Sequence, residues 1–359
     1  MTTEYVSEPV GSGRGGVPWS RRAIAKDVAA LAQVSPQTVS RVANRANNVR
    51  PETRDRVLKA MEKVGYSPNA AARALRSGGS RTIGLIPHQL NSTGEANVVE
   101  AVSAAASARK YALSLADAPD GCADSLNAAI ERLQQGVSGL VVLGLENIDI
   151  GKLRIPPHLP IVVADNRALS LPSVGFDQAG GAQLAVDHLL SLGHHTVHLI
   201  GGPEYSVHAQ QREEGWRTSL TAAGRPIPKP YIGDWNPASG YEIGRRLAED
   251  PTVTAIFAAN DEMAAGLMRA LHEVGKRIPQ DVSVVGFDNV LAEYLWPPLT
   301  SIHQDFTQIG ETLVRVLLDH TENHTRGITT QTTPIVIPAR LVVRASSGPA
   351  PTTVVTSQF

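Results

Sequence analysis

The sequence predicts a small all-α head followed by a much larger α/β body of two lobes with parallel sheets, and three observations carry that prediction. Residues 21–66 show helical spacing of apolar positions and no strand pattern. From Thr82 onward, short apolar runs alternate with helix-length segments, the texture of parallel strands covered by helices. These runs are too many for one compact sheet, so they divide into two lobes. Charge divides at the same place. Up to Arg81 the chain carries 14 Lys/Arg against 6 Asp/Glu, and after it 19 against 28. A basic head on an acidic body directs any polyanion to the head alone.

Composition bounds the rest. A 359-residue chain with 42% hydrophobic and 19% charged residues is an ordinary globular protein, long enough for one small core and a larger one. No apolar run approaches the ~20 residues that cross a bilayer. The opening MTTEYVSEPVGSGRGG lacks the apolar stretch of a signal peptide, so the expected location is cytoplasmic. Cys122 stands alone, which excludes a disulfide within the chain and a cysteine metal set. The expected organisation is a disordered tail over 1–20, a head over 21–67, a joint over 68–80, a body over 81–345, and a polar disordered tail over 346–359.

In the head, Val28, Ala29 and Ala32 share one face of a first helix, and Val34 closes a short turn. Ser35 is an N-cap residue and Pro36 suits the first helical position. Val39 and Val42 form the buried face of a second helix. A third begins at Pro51, packs Val57, Leu58, Met61 and Val64, and stops at Gly65. Pro36 opens an exposed surface on the second helix that continues through Gln37, Thr38, Ser40, Arg41 and Asn44. Glutamine bridges adenine N6 and N7, and arginine bridges guanine O6 and N7, in the major groove. Thr38, Ser40 and Asn44 suit phosphates, which fix register. This is a helix-turn-helix with its reading groups on the second helix.

Three motifs in this region run Val-Ser-x-x-Thr-Val-Ser-Arg-Val over Val34–Val42, Pro-Glu-Thr-Arg-x-x-Val over Pro51–Val57, and Gly-Tyr-x-Pro-Asn over Gly65–Asn69. They resemble the lactose/galactose repressor (LacI/GalR) family of bacterial transcriptional regulators, and the resemblance runs from about Ile24 to Ser346. Two positions depart from the family. Ile24-Ala25 stands where a Thr cap usually opens the first helix, and Arg50 where a Ser cap opens the third. Each lost hydroxyl costs ~1 kcal/mol, and the readout helix is untouched.

Asn69–Arg76 is Ala-rich and too short to hold a helix alone in water. The resemblance implies a hinge helix that forms on DNA, paired with its copy in the minor groove. Leu75 would be the apolar wedge between base steps, with Arg73 and Arg76 on phosphates. Thr53 and Asn69 complete the DNA-facing set.

In the body, strands are expected at Thr82–Pro87, Ala112–Asp117, Gly139–Gly144, Ile161–Asp165, Thr196–Gly202, Tyr231–Trp235, Thr254–Asn260 and Ser283–Asp288. Helices are expected at Ala96–Lys110, Ala123–Gln135, Gly180–Leu192, Ala209–Ala223, Ser239–Ala248 and Glu262–Val274. Two such lobes joined by crossovers resemble the periplasmic-binding-protein fold. Ligands in such sheets sit beyond the carboxyl ends of strands, which selects Asp165, Asn260 and Asp288. Gln304 and Phe306 follow an apolar segment, and Arg212 lies in a helix after Gly202-Pro203.

The chemistry of this set fits a sugar. Arg212 offers a planar fork of donors, and Asp165 and Asp288 offer acceptors. Asn260 and Gln304 offer both kinds, while Trp235 and Phe306 offer faces for a pyranose ring. The resemblance implies the same roles. His88, in the polar loop Pro87–Asn91, points to a different or longer saccharide.

Bland roles compete with these. Arg212 and Asp288 can form a structural ion pair, and Trp235 can belong to a lobe core. Asp177 and Asp261 suit helix caps, and Trp216 suits packing. His194, His195 and His198 are spaced wrongly for one ion on an extended chain, so no metal or cofactor is expected.

The expected function is a DNA-binding repressor, not an enzyme. It would act as a homodimer, since the tail lacks leucine heptads, on a near-palindromic double-stranded operator under control of a small saccharide. A nucleobase co-repressor is the alternative effector. An exported sugar-binding transport component would need a signal peptide and no basic head. A sugar-acting enzyme would need a carboxylate pair or a phosphate-cradling glycine loop.

Overall fold

The computed structural model describes residues 23–43, 48–66, 81–118 apart from 89 and 91, 122–145, 148, 150–326 apart from 168, and 332–351. Asn44, Asn69, Arg73 and Leu75, the first tail and the joint lie outside the described residues, as does Arg76. The chain forms two units, Met1–Gly78 and Gly79–Phe359.

The head packs helices α1 (Ala25–Ala32), α2 (Pro36–Ala43) and α3 (Pro51–Lys63) on a core of Val28, Ala29, Ala32, Val39, Val42, Val57, Ala60 and Met61. Leu58, expected in that core, is 48% exposed. Positions 57, 60, 61 and 64 carry the inward stripe of α3, and Leu58 falls off its edge. Neither Ile24 nor Arg50 supplies a side-chain cap. At α1 the Asp27 carboxylate instead accepts from the Ile24 N–H at 2.8 Å. Gly65 ends α3 at φ +61°, with Tyr66 N–H donating to the Met61 carbonyl at 2.8 Å.

The body holds two six-stranded sheets. In lobe 1, β1 (Thr82–Ile86), β2 (Ala112–Leu115), β3 (Gly139–Val142), β4 (Ile161–Ala164), β5 (Ser173–Phe176) and β11 (Ile335–Ile337) run in the order β11-β5-β4-β3-β1-β2, all parallel. In lobe 2, β6 (His198–Gly201), β7 (Tyr231–Ile232), β8 (Ala255–Ala258), β9 (Ser283–Asp288), β10 (Thr300–His303) and β12 (Arg340–Val342) run β12-β10-β9-β8-β6-β7, with only the β10–β12 pair antiparallel. Helices cover both faces of each sheet. Thr93–Ala108 and Phe306–Thr325 pack one face of lobe 1 and Ala123–Leu133 the other. Gln178–Ser191 and Val207–Ala222 pack one face of lobe 2, Pro237–Glu249 and Asp261–Glu273 the other. Burial on both faces explains why β3, β8 and β9 are unbroken in burial.

The chain crosses between lobes three times, after β5, after β10 and between β11 and β12. These crossings lie outside the strands expected from sequence, which omitted β5, β10, β11, β12 and the helix Phe306–Thr325.

The expected disordered tail over 346–359 is corrected for its first part. Ser346 is fully buried; its Oγ accepts from Thr300 N–H at 2.8 Å and donates to the Val284 carbonyl at 2.6 Å. His194, also fully buried, pairs with Thr254, Ser283 and the Gly348 carbonyl at 3.0–3.1 Å. His188 meets Ser347 at 2.9 Å, and Ala350 N–H donates to Leu192. A polar sequence docks here because Ser346 bridges the starts of β9 and β10 and the polar atoms named find partners there. Burial lowers the pKa of both His188 and His194.

Candidate functional site

The head presents an exposed face on α2. Ser35 Oγ accepts from Thr38 N–H at 3.1 Å and lies 3.0 Å from the Thr38 hydroxyl. Thr38 is thereby part of the cap that starts the helix. Val39 and Val42 face the core, which turns Pro36, Gln37 and Arg41 outward, all exposed. Ser40 and Thr53 are half-buried at the margins of this surface.

In the body, all eight candidate residues expected from sequence line one cavity of about 1020 Å³ between the lobes: His88, Asp165, Arg212, Trp235, Asn260, Asp288, Gln304 and Phe306. Each lies just beyond the carboxyl end of a strand or on a helix that follows one, where crossover geometry leaves a cleft.

The floor is a buried polar network. Arg212 is 5% exposed. Its Nε donates to Gln178 at 2.8 Å, one terminal nitrogen to the Ala259 carbonyl, and the other to Asp288 at 3.1 Å. Its guanidinium lies 3.7 Å from the Phe287 ring centre and 5.4 Å from that of Trp235. Gln304 donates to the same Gln178 oxygen at 3.3 Å. Burial pushes the Asp288 carboxyl up to about 6, opposed by the charge of Arg212 beside it and helped by Glu262. The Arg212–Asp288 ion pair is therefore both structural and part of the wall.

Asp165 does not stand as a free acceptor. Arg167, which sequence reasoning passed over, clamps its carboxylate with Nε at 3.0 Å and a terminal nitrogen at 2.6 Å. Asn260 caps the helix Asp261–Glu273 by accepting from Met263 N–H at 2.9 Å, and donates to the Trp235 carbonyl at 2.9 Å. Asp261, expected to be that cap, instead accepts from Ser301 Oγ at 2.6 Å and from Val290 and Leu291 N–H. Burial raises its pKa to about 7. Asp177 does cap its helix, bonding Gly180 N–H at 2.8 Å, and Trp216 is core.

Two glycines permit the close approaches. A methyl group at Gly202 would stand 2.2 Å from the Trp235 ring, and one at Gly144 2.4 Å from His88. Trp235 and Asp288 themselves hold φ of 71° and 93°, a left-handed conformation disfavoured for such residues. Backbone held this way is concentrated at functional sites. Phe306 meets Phe176 edge-on at 5.5 Å, leaving the cavity side of its ring.

The sequence missed Gln178, Glu95, Asp117, Tyr205, His208 and Glu262, which also line the cavity. One signal was available for Gln178. Gly-Phe-Asp occurs at Gly175–Asp177 and again at Gly286–Asp288, once at the end of each lobe's strand. Among the described residues no group of three or more His, Cys, Asp or Glu can hold a metal ion, and no helix is long and apolar enough to cross a membrane.

A helix-turn-helix unit with a two-lobed α/β unit enclosing a polar cavity defines a ligand-responsive regulator class, and comparison with known proteins agrees. Residues 25–69 match the bacterial regulatory proteins of the lacI family, and residues 186–347 match the periplasmic binding protein-like domain. The HTH-type transcriptional repressor PurR of Erwinia tasmaniensis is 35% identical over 88% of this chain and 96% of its own length. The lactose operon repressor of Escherichia coli K12 is 36% identical over 81% of this chain and 83% of its own. The HTH-type transcriptional regulator CelR of Thermobifida fusca is 34% identical over 91% and 98%. A structure of the Lac repressor dimer bound to operator and the anti-inducer ONPF superposes with TM-score 0.78 at 31% identity, covering 91% of this chain and all of that one. A CelR–cellobiose complex gives 0.65 at 31% identity over the same shares. The chain belongs to the lacI family of bacterial regulatory proteins, whose members named here are transcriptional regulators.

Proposed function

We propose that this protein is a cytoplasmic repressor that binds a near-palindromic operator as a homodimer, and that a small saccharide in the body cavity sets its operator affinity. The carrying observation is the cavity itself. Buried hydrogen-bonding groups from both lobes converge there beside the rings of Trp235 and Phe306. A sugar needs that pairing of directional polar partners with a flat apolar face. Asp288 accepts a hydroxyl on the oxygen that Arg212 does not hold, and Gln304 and Asn260 fix neighbouring positions. The relatives support the reading: one solved neighbour holds operator, another cellobiose.

The mechanism follows from connectivity. A ligand touching both lobes stabilises one angle between them, because among the described residues the lobes are tied covalently by the crossings after β5 and β10 and between β11 and β12. In a dimer, a changed angle moves the two first lobes and with them the joints that lead to the heads. Gln37 and Arg41 read base edges, while Ser40 and Thr53 meet phosphates. Asn44, Asn69, Arg73 and Leu75, which lie outside the described residues, complete the DNA set. Fluorescence anisotropy on an operator selected from a randomised pool, repeated with a saccharide panel, tests this. One saccharide should shift operator affinity, and indifference to every saccharide alongside a response to a purine base would replace the sugar with the nucleobase reading.

A further inference from the structure

The three chain crossings between the lobes are bonded to one another. The first, after β5, runs through Asp177 into the helix that opens at Gln178. The second, after β10, is Gln304-Asp305, and the third, between β11 and β12, is Pro338-Ala339. Asp177 N–H donates to the Ile337 carbonyl at 3.0 Å, which joins the first crossing to the third. Gln304 Nε2 donates to Gln178 Oε1 at 3.3 Å, which joins the second to the first. Packing agrees with the bonding. A methyl group at Gly181, one turn into the helix, would stand 3.1 Å from Ala339 Cβ.

One atom of this set also serves the cavity. Gln178 Oε1, which accepts from Gln304, accepts from Arg212 Nε at 2.8 Å as well. An amide oxygen carries two lone pairs, so both bonds form at once. The bond from the guanidinium is charge-assisted and is the stronger of the two. Gln178, Gln304 and Arg212 are 2, 3 and 5% exposed. Burial of this kind strengthens hydrogen bonds and makes each costly to lose. The terminal nitrogens of Arg212 meet the Ala259 carbonyl and Asp288, on the side of the cavity wall.

We infer that Gln178 is the positioning residue that carries effector binding to the crossings between the lobes: its one side-chain oxygen holds both the guanidinium at the cavity floor and the glutamine of the second crossing. This rests on the reading of the cavity as an effector site and holds whatever the effector is. A ligand that engages the terminal nitrogens of Arg212, or Asp288 beside them, tilts a rigid planar group anchored at its Nε end. Gln178 follows that tilt, and the Gln304 amide follows Gln178. The third crossing is bonded to Asp177, the residue before Gln178, so all three ties shift together. Packed elements joined in this way switch between discrete arrangements and do not deform continuously. Gln178 thus acts through Arg212 on one side and Gln304 on the other.

The test compares full-length wild type with Gln178→Met, which keeps the side-chain length and removes the acceptor, and Gln178→Glu, which keeps an acceptor. The probes are lactose, cellobiose and hypoxanthine. Calorimetric titration gives probe affinity, and fluorescence anisotropy gives operator affinity with and without each probe. In Gln178→Met the factor by which a bound probe changes operator affinity should fall at least about threefold, out of the roughly 5–150-fold typical of such coupling, and probe affinity should change by less than that. Gln178→Glu should keep the coupling. A role in packing alone predicts the reverse split, with a lower melting midpoint, weaker probe binding and an intact coupling factor, and that result overturns the inference. So does a loss of coupling as large in Gln178→Glu as in Gln178→Met. If Gln178→Met does not fold, Gln178→Asn, whose amide stops one methylene short of both donors, carries the same prediction. If no probe changes wild-type operator affinity, the effector reading fails for these ligands and the ligand-free protein decides on Gln178. Its operator affinity should then move by at least about threefold in Gln178→Met, with base preference unchanged, and return in Gln178→Glu. Wild-type operator affinity in Gln178→Met overturns the inference in that case.

Discussion

The head and the body place their chemistry by opposite means. The proposed reading groups of the head, Gln37 and Arg41, sit four residues apart on one helix, exposed, with Val39 and Val42 buried behind them. The body assembles its cavity from positions 87 to 309, most of the floor buried and already hydrogen-bonded within the protein. A contiguous exposed site can be changed without disturbing the fold. A buried convergent site cannot, because each side chain there supports another.

The sharpest break in this comparison is Arg212→Ala. It leaves Asp288 buried without its partner and should destabilise the body by ~3–5 kcal/mol, abolishing any saccharide response; calorimetry and titration measure both. A melting midpoint equal to wild type would place Arg212 among dispensable surface groups.

On the head, Gln37→Ala and Arg41→Ala should each lose ~1–3 kcal/mol of base discrimination with the melting midpoint unchanged. Selection of binding sites from random DNA reads the first effect and a thermal scan the second. In the body, Ser346→Ala strands the Val284 carbonyl and the Thr300 N–H, so it should cost ~1–3 kcal/mol. A neutral result in chemical denaturation would return this segment to a loose tail.

Acid should separate the two regions further. No histidine precedes His88, so the head lacks this titration. In the body, burial depresses His194 below its usual 6.5. The unfolded chain then binds more protons, and the stability this group contributes is full above about pH 6.5 and lost as pH falls below it. Asp261 and Asp288 act oppositely, since their folded values of about 7 and about 6 exceed the unfolded one near 3.9. His194→Gln isolates the histidine contribution: its midpoint should fall less than wild type between pH 7 and 5.5, and equal slopes would remove His194 from the account. The smallest effect expected is in the head, where Asp27→Ala loses the bond to Ile24 N–H and about 1 kcal/mol.

Much of this was legible in the residues. Apolar runs located eight strands, of which β1, β3, β4, β6, β8 and β9 are buried almost throughout and leave a continuous signal. The edge strands β11 and β12, three residues each, carry too few side chains to show one. The eight cavity candidates could be chosen because strand ends are where such folds open. What the sequence concealed was engagement. Gln178 joining Arg212 to Gln304 depends on neighbours 34 and 126 residues away, while Arg167 closing on Asp165 and Asn260 capping towards Met263 are local contacts whose residue types suit several other roles. Leu58 misled because a single apolar residue beside a helical stripe looks like part of it. The docked Ser346–Ala350 segment misled because a polar composition describes both a solvated tail and a segment whose serines bridge buried strand ends.

One contact between the lobes gives a way to reach the coupling itself. Asn166, just past β4, and Gln211, on the helix Val207–Ala222, exchange amide hydrogen bonds at 3.0 and 3.1 Å. Such a pair fixes one lobe angle.

The central claim is that ligand in the body and DNA at the head share one equilibrium. The direct test is a thermodynamic cycle: operator affinity with and without the bound saccharide, and saccharide affinity with and without operator. The account predicts that both ratios depart from one by the same factor, and that Gln211→Ala changes that factor while leaving base preference alone. A saccharide that binds the cavity tightly while operator affinity stays constant would contradict it.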